Sequence, residues 1–318
     1  VSPQLANDTD GTIAEAKRLY QLVNRPNVMI KVPATKAGVP AIETLIGVGI
    51  SINVTLIFSV TQYEEIALAY MRGLQKFADN EGDLSKVSSV ASFFVSRVES
   101  KVDKALDAIG NTDLKGKIAI ANAKVAYDRF KALFSGDDWD ALAEKGAQVQ
   151  RPLWASTGTK NSDYSDTVYV DHLIGPHTVN TLPPDTLKAF MDHGEVANTL
   201  EQDVDEAHHQ INQLADLQID FNAITEDLQV EGVQKFADSF ESLMSGIAEK
   251  KAQLQAGKTR FEASLGDFQQ AVDEGTAHLR DANIMHRIWD HDHTVWQDDP
   301  EEITNRLGWL RIMDAVEN

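Results

Sequence analysis

The strongest constraint on the fold is an alternation: short apolar runs of strand length, each followed by a stretch with helical spacing. Residues 28–33, 50–59, 87–95, 149–155 and 177–182 are the strand-like runs. Helical patterns separate them. Ile13, Ala16, Leu19, Tyr20 and Val23 recur at helical spacing behind the capping residues Asn7, Asp8 and Thr9, and residues 39–48 form a pattern stopped by Gly49. Further helices are expected at residues 61–80, 99–109, 116–134, 139–146 and 185–193, with 166–172 helical or irregular. Apolar strands alternating with helices imply a parallel sheet with right-handed crossovers. Either a barrel or a doubly wound sheet would fit, and the chain has no G-x-G-x-x-G fingerprint to favour dinucleotide binding. From Glu201 onward the strands stop, and residues 201–216 and 225–265 read as long helices with ordinary amphipathic patterning.

The first run, PNVMIKVPAT, holds one lysine, Lys31, among Val28, Met29, Ile30 and Val32. Such a run, closed by Pro33, reads as a strand buried on both faces. Lysine is almost never fully buried without a partner. Desolvation lowers its pKa and leaves a neutral amine able to attack a carbonyl. The plainer alternative is a lysine whose stem is buried while its amine reaches water. Asn53 and Thr55, two apart in the second run, face the same side. Ser92, Arg97, Ser156 and Lys160 lie toward the ends of later runs, as polar residues do on the active face of a (β/α)8 barrel.

The 318 residues carry a formal net charge of −20. That balance argues against nucleic acid as a partner, and any phosphate site must be a local basic pocket. The chain has no cysteine, which excludes a disulfide framework and thiolate metal sites and fits a cytoplasmic protein. No apolar run is long enough to span a membrane, and no signal peptide is visible. The opening Val1-Ser2-Pro3 lacks an initiator methionine, so a trimmed piece of a longer chain is expected.

Four segments in order, VMIKVPATKAG, SINVTLIFS, VASFFVSRV and RPLWASTGTKN, resemble transaldolase, closest to its longer bacterial forms. The likeness runs from Val1 to about Lys250. It implies a (β/α)8 barrel of the class I aldolase type, in which a strand lysine forms a Schiff base with a ketose phosphate. On this resemblance Lys31 is that lysine, on the family's fourth strand, and Asn53 and Thr55 position substrate hydroxyls and the catalytic water. Ser92, Phe94 and Arg97 match the sixth-strand segment, where the arginine binds phosphate. Ser156 matches a phosphate-binding serine, and Lys160 stands where many relatives use arginine. The resemblance also implies that the family's first three strands, with an aspartate, an asparagine and an acid/base glutamate, are missing here. A barrel lacking its first strands and inactive alone is therefore expected, although its parent would be active.

The segment RIWDHDHTVWQDDPEEITNRLGWL resembles the junction in proteins that fuse transaldolase to glucose-6-phosphate isomerase. The expected division is a barrel over residues 1–250 and a helical extension over 251–318. His286, His291 and His293 with Asp290 and Asp292 read more simply as solvated or hydrogen-bonded groups than as a metal site. No metal or cofactor is expected; sugar phosphates are the expected partners. Two other readings stand beside transaldolase: a class I aldolase similar to fructose-6-phosphate aldolase, and a non-catalytic barrel fragment serving as a scaffold.

Overall fold

A computed structural model describes residues 1–256, 265–307 and 310. Trp309 and residues 257–264, which include the end of the expected 225–265 helix, lie outside the described residues. The chain forms two compact units, Val1–Gly246 and Ile247–Asn318.

The first unit is organised on five parallel strands: β1 (Ile30–Pro33), β2 (Ile52–Ile57), β3 (Ser89–Phe94), β4 (Arg151–Ala155) and β5 (Val179–Asn180). Their order in the sheet is their order in the chain. A doubly wound sheet reverses direction at a switch point; uninterrupted sequential winding is the pattern of a (β/α) barrel wall. Around the strands run α1 (Thr9–Val23), α2 (Gly38–Ile46), α3 (Val60–Asp79), α4 (Ser96–Ala108), α5 (Ile118–Leu133), α6 (Asp137–Ala143), α7 (Val168–Asp171), α8 (Pro184–His193) and α9 (Val204–Asp216). The long α10 (Phe221–Gln255) contributes its residues up to Gly246 to this unit.

Local chemistry explains these elements. The Asp8 carboxylate caps α1 by accepting from the Gly11 N–H at 2.9 Å, and Ser59 caps α3 by accepting from Gln62 N–H at 3.2 Å. Helix α3 buries Tyr63, Ile66, Ala67, Tyr70 and Leu74 on one stripe against the sheet. The central strands are buried throughout or nearly so, as parallel strands covered on both faces must be. Phe93 and Trp154 meet edge to face at 6.0 Å across β3 and β4, and the Trp154 indole N–H donates to Leu173 O at 3.0 Å.

Two expectations need correction. The run 177–182 is a strand only at Val179–Asn180, because His177 adopts a left-handed φ of 57° and Pro183 follows closely. Lys31 is not in a strand buried on both faces. β1 has β2 as its ladder neighbour on one side, and the Lys31 side chain is exposed at this edge. On its other side the Val1 nitrogen donates to Lys31 O at 3.0 Å.

The second unit contains α11 (Gln269–Asp281), α12 (Ile284–Trp289) and α13 (Pro300–Arg306). Here the Arg287 Nε–H donates to Asp292 Oδ2 at 2.7 Å, and His286 Nε2 lies 3.3 Å from Asp290 Oδ2. Asp292 also caps the following turn by accepting from the Thr294 N–H at 3.0 Å. No described helix is long and apolar enough to cross a membrane.

Candidate active site

Parallel pairing sets the first part of the site. Lys31 is in register with Asn53, and Pro33 with Thr55, while Asn53 is in register with Val90 on the next strand. Register neighbours in a sheet share a face, so Lys31, Asn53 and Thr55 project to one side. Ser92, two residues beyond Val90, joins them: its hydroxyl donates to Asn53 Oδ1 at 2.7 Å. This bond orients the Asn53 amide and leaves its N–H donors for a substrate oxygen.

Lys31 and Thr55 line a cavity of about 150 Å³ with Val1, Ser2, Pro3 and Ala6 from the chain start and with Val233 and Phe236 from α10. The lining is mainly apolar. Desolvation by these walls holds the Lys31 amine below its ordinary pKa, although the side chain retains solvent contact at the sheet edge. The Thr55 hydroxyl is buried and has no hydrogen-bond partner among the described residues. A buried polar group without a partner is costly and rare, and at the wall of a cavity it is ready for a water or a substrate hydroxyl.

A second group forms where β3 and β4 end. Arg97 lies in the first turn of α4, with its guanidinium 5.2 Å from the centre of the Phe94 ring. The Val95 N–H donates to Ala155 O and the Ser96 N–H donates to Ser156 O, each at 3.0 Å. The Ser96 and Ser156 hydroxyls are 2.9 Å apart. These bonds join the β4 exit to the start of α4. Ser156 holds a left-handed φ of 58°, uncommon for a residue other than glycine and enriched at functional turns. Lys160 is placed differently. It is exposed and lines another cavity, with Glu99, Asp103, Asp107 and Tyr164. In that cavity the Glu99 carboxyl is pushed up to about 8, first by burial and then by the nearby Asp103.

Sequence reasoning missed the contribution of α10. Gln229, Val233 and Phe236 lie on one helix face at the i, i+4, i+7 spacing, but nothing in a soluble-helix pattern marks such residues as site walls. It also missed Glu99, whose burial is invisible in a charged stretch.

Residues 1–247 match the family model described as Transaldolase/Fructose-6-phosphate aldolase. The chain belongs to this family. Transaldolase 2 of Nostoc sp. is 50% identical over 264 residues, covering 79% of this chain and 69% of the relative. Transaldolase 1 of Streptomyces avermitilis is 50% identical over 252 residues, covering 78% and 67% respectively. The transaldolase of Mycolicibacterium smegmatis is 47% identical over 262 residues, covering 81% and 70%. The family fold is the TIM barrel, to which the sequentially wound parallel sheet conforms, and the relatives support transaldolase function for this chain.

Proposed function

We propose that this chain performs transaldolase chemistry with Lys31 as the Schiff-base residue. The observation that carries the assignment is the cavity in which a desolvated lysine amine stands beside the unpartnered Thr55 hydroxyl. The neutral Nζ attacks the ketose carbonyl carbon, C2, and the carbinolamine takes up a proton and loses water to give an iminium. The iminium is an electron sink. When the C4 hydroxyl gives up its proton, the C3–C4 bond breaks, an aldose phosphate leaves, and the electron pair remains as an enamine on Lys31. The enamine then adds to the aldehyde of an acceptor aldose phosphate, and water releases the new ketose.

Asn53, oriented by Ser92, is assigned to a substrate hydroxyl, and Thr55 to a hydroxyl or the water of dehydration. Arg97, Phe94 and Ser156 are assigned to the substrate phosphate, with the guanidinium as a bidentate donor in an otherwise acidic protein. Lys160 retains this role only through resemblance, because it lines a different cavity, with Glu99 and Asp103.

Among the described residues that line the Lys31 cavity there is no carboxylate. The proton transfers around the carbinolamine and the C4 hydroxyl must draw on groups outside that lining. Such groups contribute roughly 10²–10⁴-fold to steps of this kind. Sedoheptulose 7-phosphate and fructose 6-phosphate are the proposed donors. A pentose phosphate pathway role, a cytoplasmic location and an attached glucose-6-phosphate isomerase belong to the same reading, the last resting on the motif that includes Trp289 and Trp296.

The deciding assay follows carbon from fructose 6-phosphate, with and without erythrose 4-phosphate, in the full-length protein. Transfer that requires the acceptor supports transaldolase. Equal release of dihydroxyacetone without acceptor would favour the aldolase reading, and no turnover at all the scaffold reading.

A further inference from the structure

The chemistry above uses no polar side chain of α10, yet one of them makes an unusual pair of bonds. The Gln229 amide N–H₂ donates both to Ala34 O, at 2.8 Å, and to Leu56 O, at 3.1 Å. Ala34 directly follows β1, three residues from Lys31, and Leu56 directly follows Thr55. The bridge therefore joins the ends of the two strands that carry the Lys31 cavity.

Backbone geometry explains why a partner is needed there. Leu56 has a φ of 62°, at the point where the β2–β3 register shifts between Val54 and Ile57. Left-handed backbone in a leucine is a genuine outlier, and at an irregular step of this kind the ladder is locally broken. A carbonyl turned out of the ladder must find another donor, and Gln229 supplies it. Packing adds a second lock. A Cβ placed on the buried Gly232 would come within 2.8 Å of Leu56 Cδ2, so glycine at this position permits the close approach of α10. Val233 and Phe236 then follow on the same helix face and line the Lys31 cavity.

We propose that Gln229 is a positioning residue for the reaction: its bridge between Ala34 and Leu56 seats α10 so that Val233 and Phe236 partly shield the Lys31 amine from bulk water. This inference rests on Lys31 being the Schiff-base residue. Shielding disfavours the ammonium form, in keeping with the desolvation that lowers the Lys31 pKa. Charge does not account for it. Among the described residues lining the cavity, no side chain other than that of Lys31 carries a charge.

The test is the pH dependence of borohydride trapping with fructose 6-phosphate, read by mass spectrometry on the Lys31 peptide of the full-length protein. Three proteins are compared: wild type, Gln229→Met and Phe236→Ala. Gln229→Met keeps the bulk of the side chain and removes both donors. Phe236→Ala removes the wall directly at a side chain that is 40% exposed, so the fold should tolerate it. Both variants should shift the trapping midpoint upward by about one pH unit, with about tenfold less imine at any pH well below the midpoints. A wild-type midpoint in both variants, whatever their melting temperatures, would overturn the proposal. If Gln229→Met fails to fold, an unshifted Phe236→Ala overturns it by the same reasoning. Absence of label at Lys31 in the wild type would instead overturn the functional reading on which the inference rests.

Discussion

Replacement of Arg97 by alanine separates phosphate recognition from the chemistry at Lys31. The guanidinium sits 5.2 Å from the Phe94 ring centre in the first turn of α4, next to the Ser96–Ser156 hydroxyl contact. Loss of a partly exposed cation–π contact costs the fold about 0.5–1 kcal/mol. Set against a typical stability of about 5–15 kcal/mol, that leaves the variant folded. Loss of a charge-assisted hydrogen bond to phosphate is larger, about 1.5–3 kcal/mol. At about 1.4 kcal/mol per factor of ten, kcat/KM for fructose 6-phosphate should fall by about 10- to 150-fold, mainly through KM. The control substrate is unphosphorylated dihydroxyacetone as donor, whose kcat/KM should change by less than about threefold, since no such bond is lost. Coupled kinetics on the full-length protein with both substrates, alongside a thermal melt, decide the matter. Equal losses on the two substrates would refute the assignment and mark Arg97 as a structural residue.

Other residues yield further expectations. Thr55→Val removes a hydroxyl with no partner among the described residues. Stability should hardly change, while kcat falls by about 2- to 10-fold, the worth of one hydrogen bond to substrate or water; an unchanged kcat would remove Thr55 from the site. Glu99 has a folded pKa of about 8 against an ordinary 4.5, raised chiefly by burial. Its neutral form therefore stabilises the fold fully below about 4.5, and that contribution is lost as pH rises toward and through 8. Glu99→Gln should flatten the fall in melting temperature across that window; an unaltered slope would contradict the burial argument.

The fold was legible because apolar strand runs and amphipathic stretches alternate with clear periods, and the helix cap at Asp8 is local chemistry. The end of the alternation was less so. The HTVNTL run looks like a full strand, but backbone turned left-handed at His177 leaves Val179–Asn180 alone in the ladder. Asn53 and Thr55 were visible because strand alternation places them on one face, and Lys31 because it stands alone in an apolar run; that Lys31 and Ser92 share the face needs the cross-strand register. The site residues supplied by α10 were not visible. Gln229 meets Ala34 and Leu56 across 195 and 173 residues of chain, and no local pattern encodes such a contact. Lys160 shows the converse: its sequence position beside Ser156 suggested one site, while its side chain lines the cavity of Glu99 and Asp103.

The central claim, that Lys31 is the residue bonded to substrate, has a direct measurement. The full-length protein is incubated with fructose 6-phosphate, reduced with borohydride, digested, and the modified lysine is located by fragmentation mass spectrometry. The account predicts a reduced adduct on Lys31, absent from a Lys31→Met variant. An adduct on Lys36 or Lys160 instead, or equal labelling of the Lys31→Met variant, would contradict it.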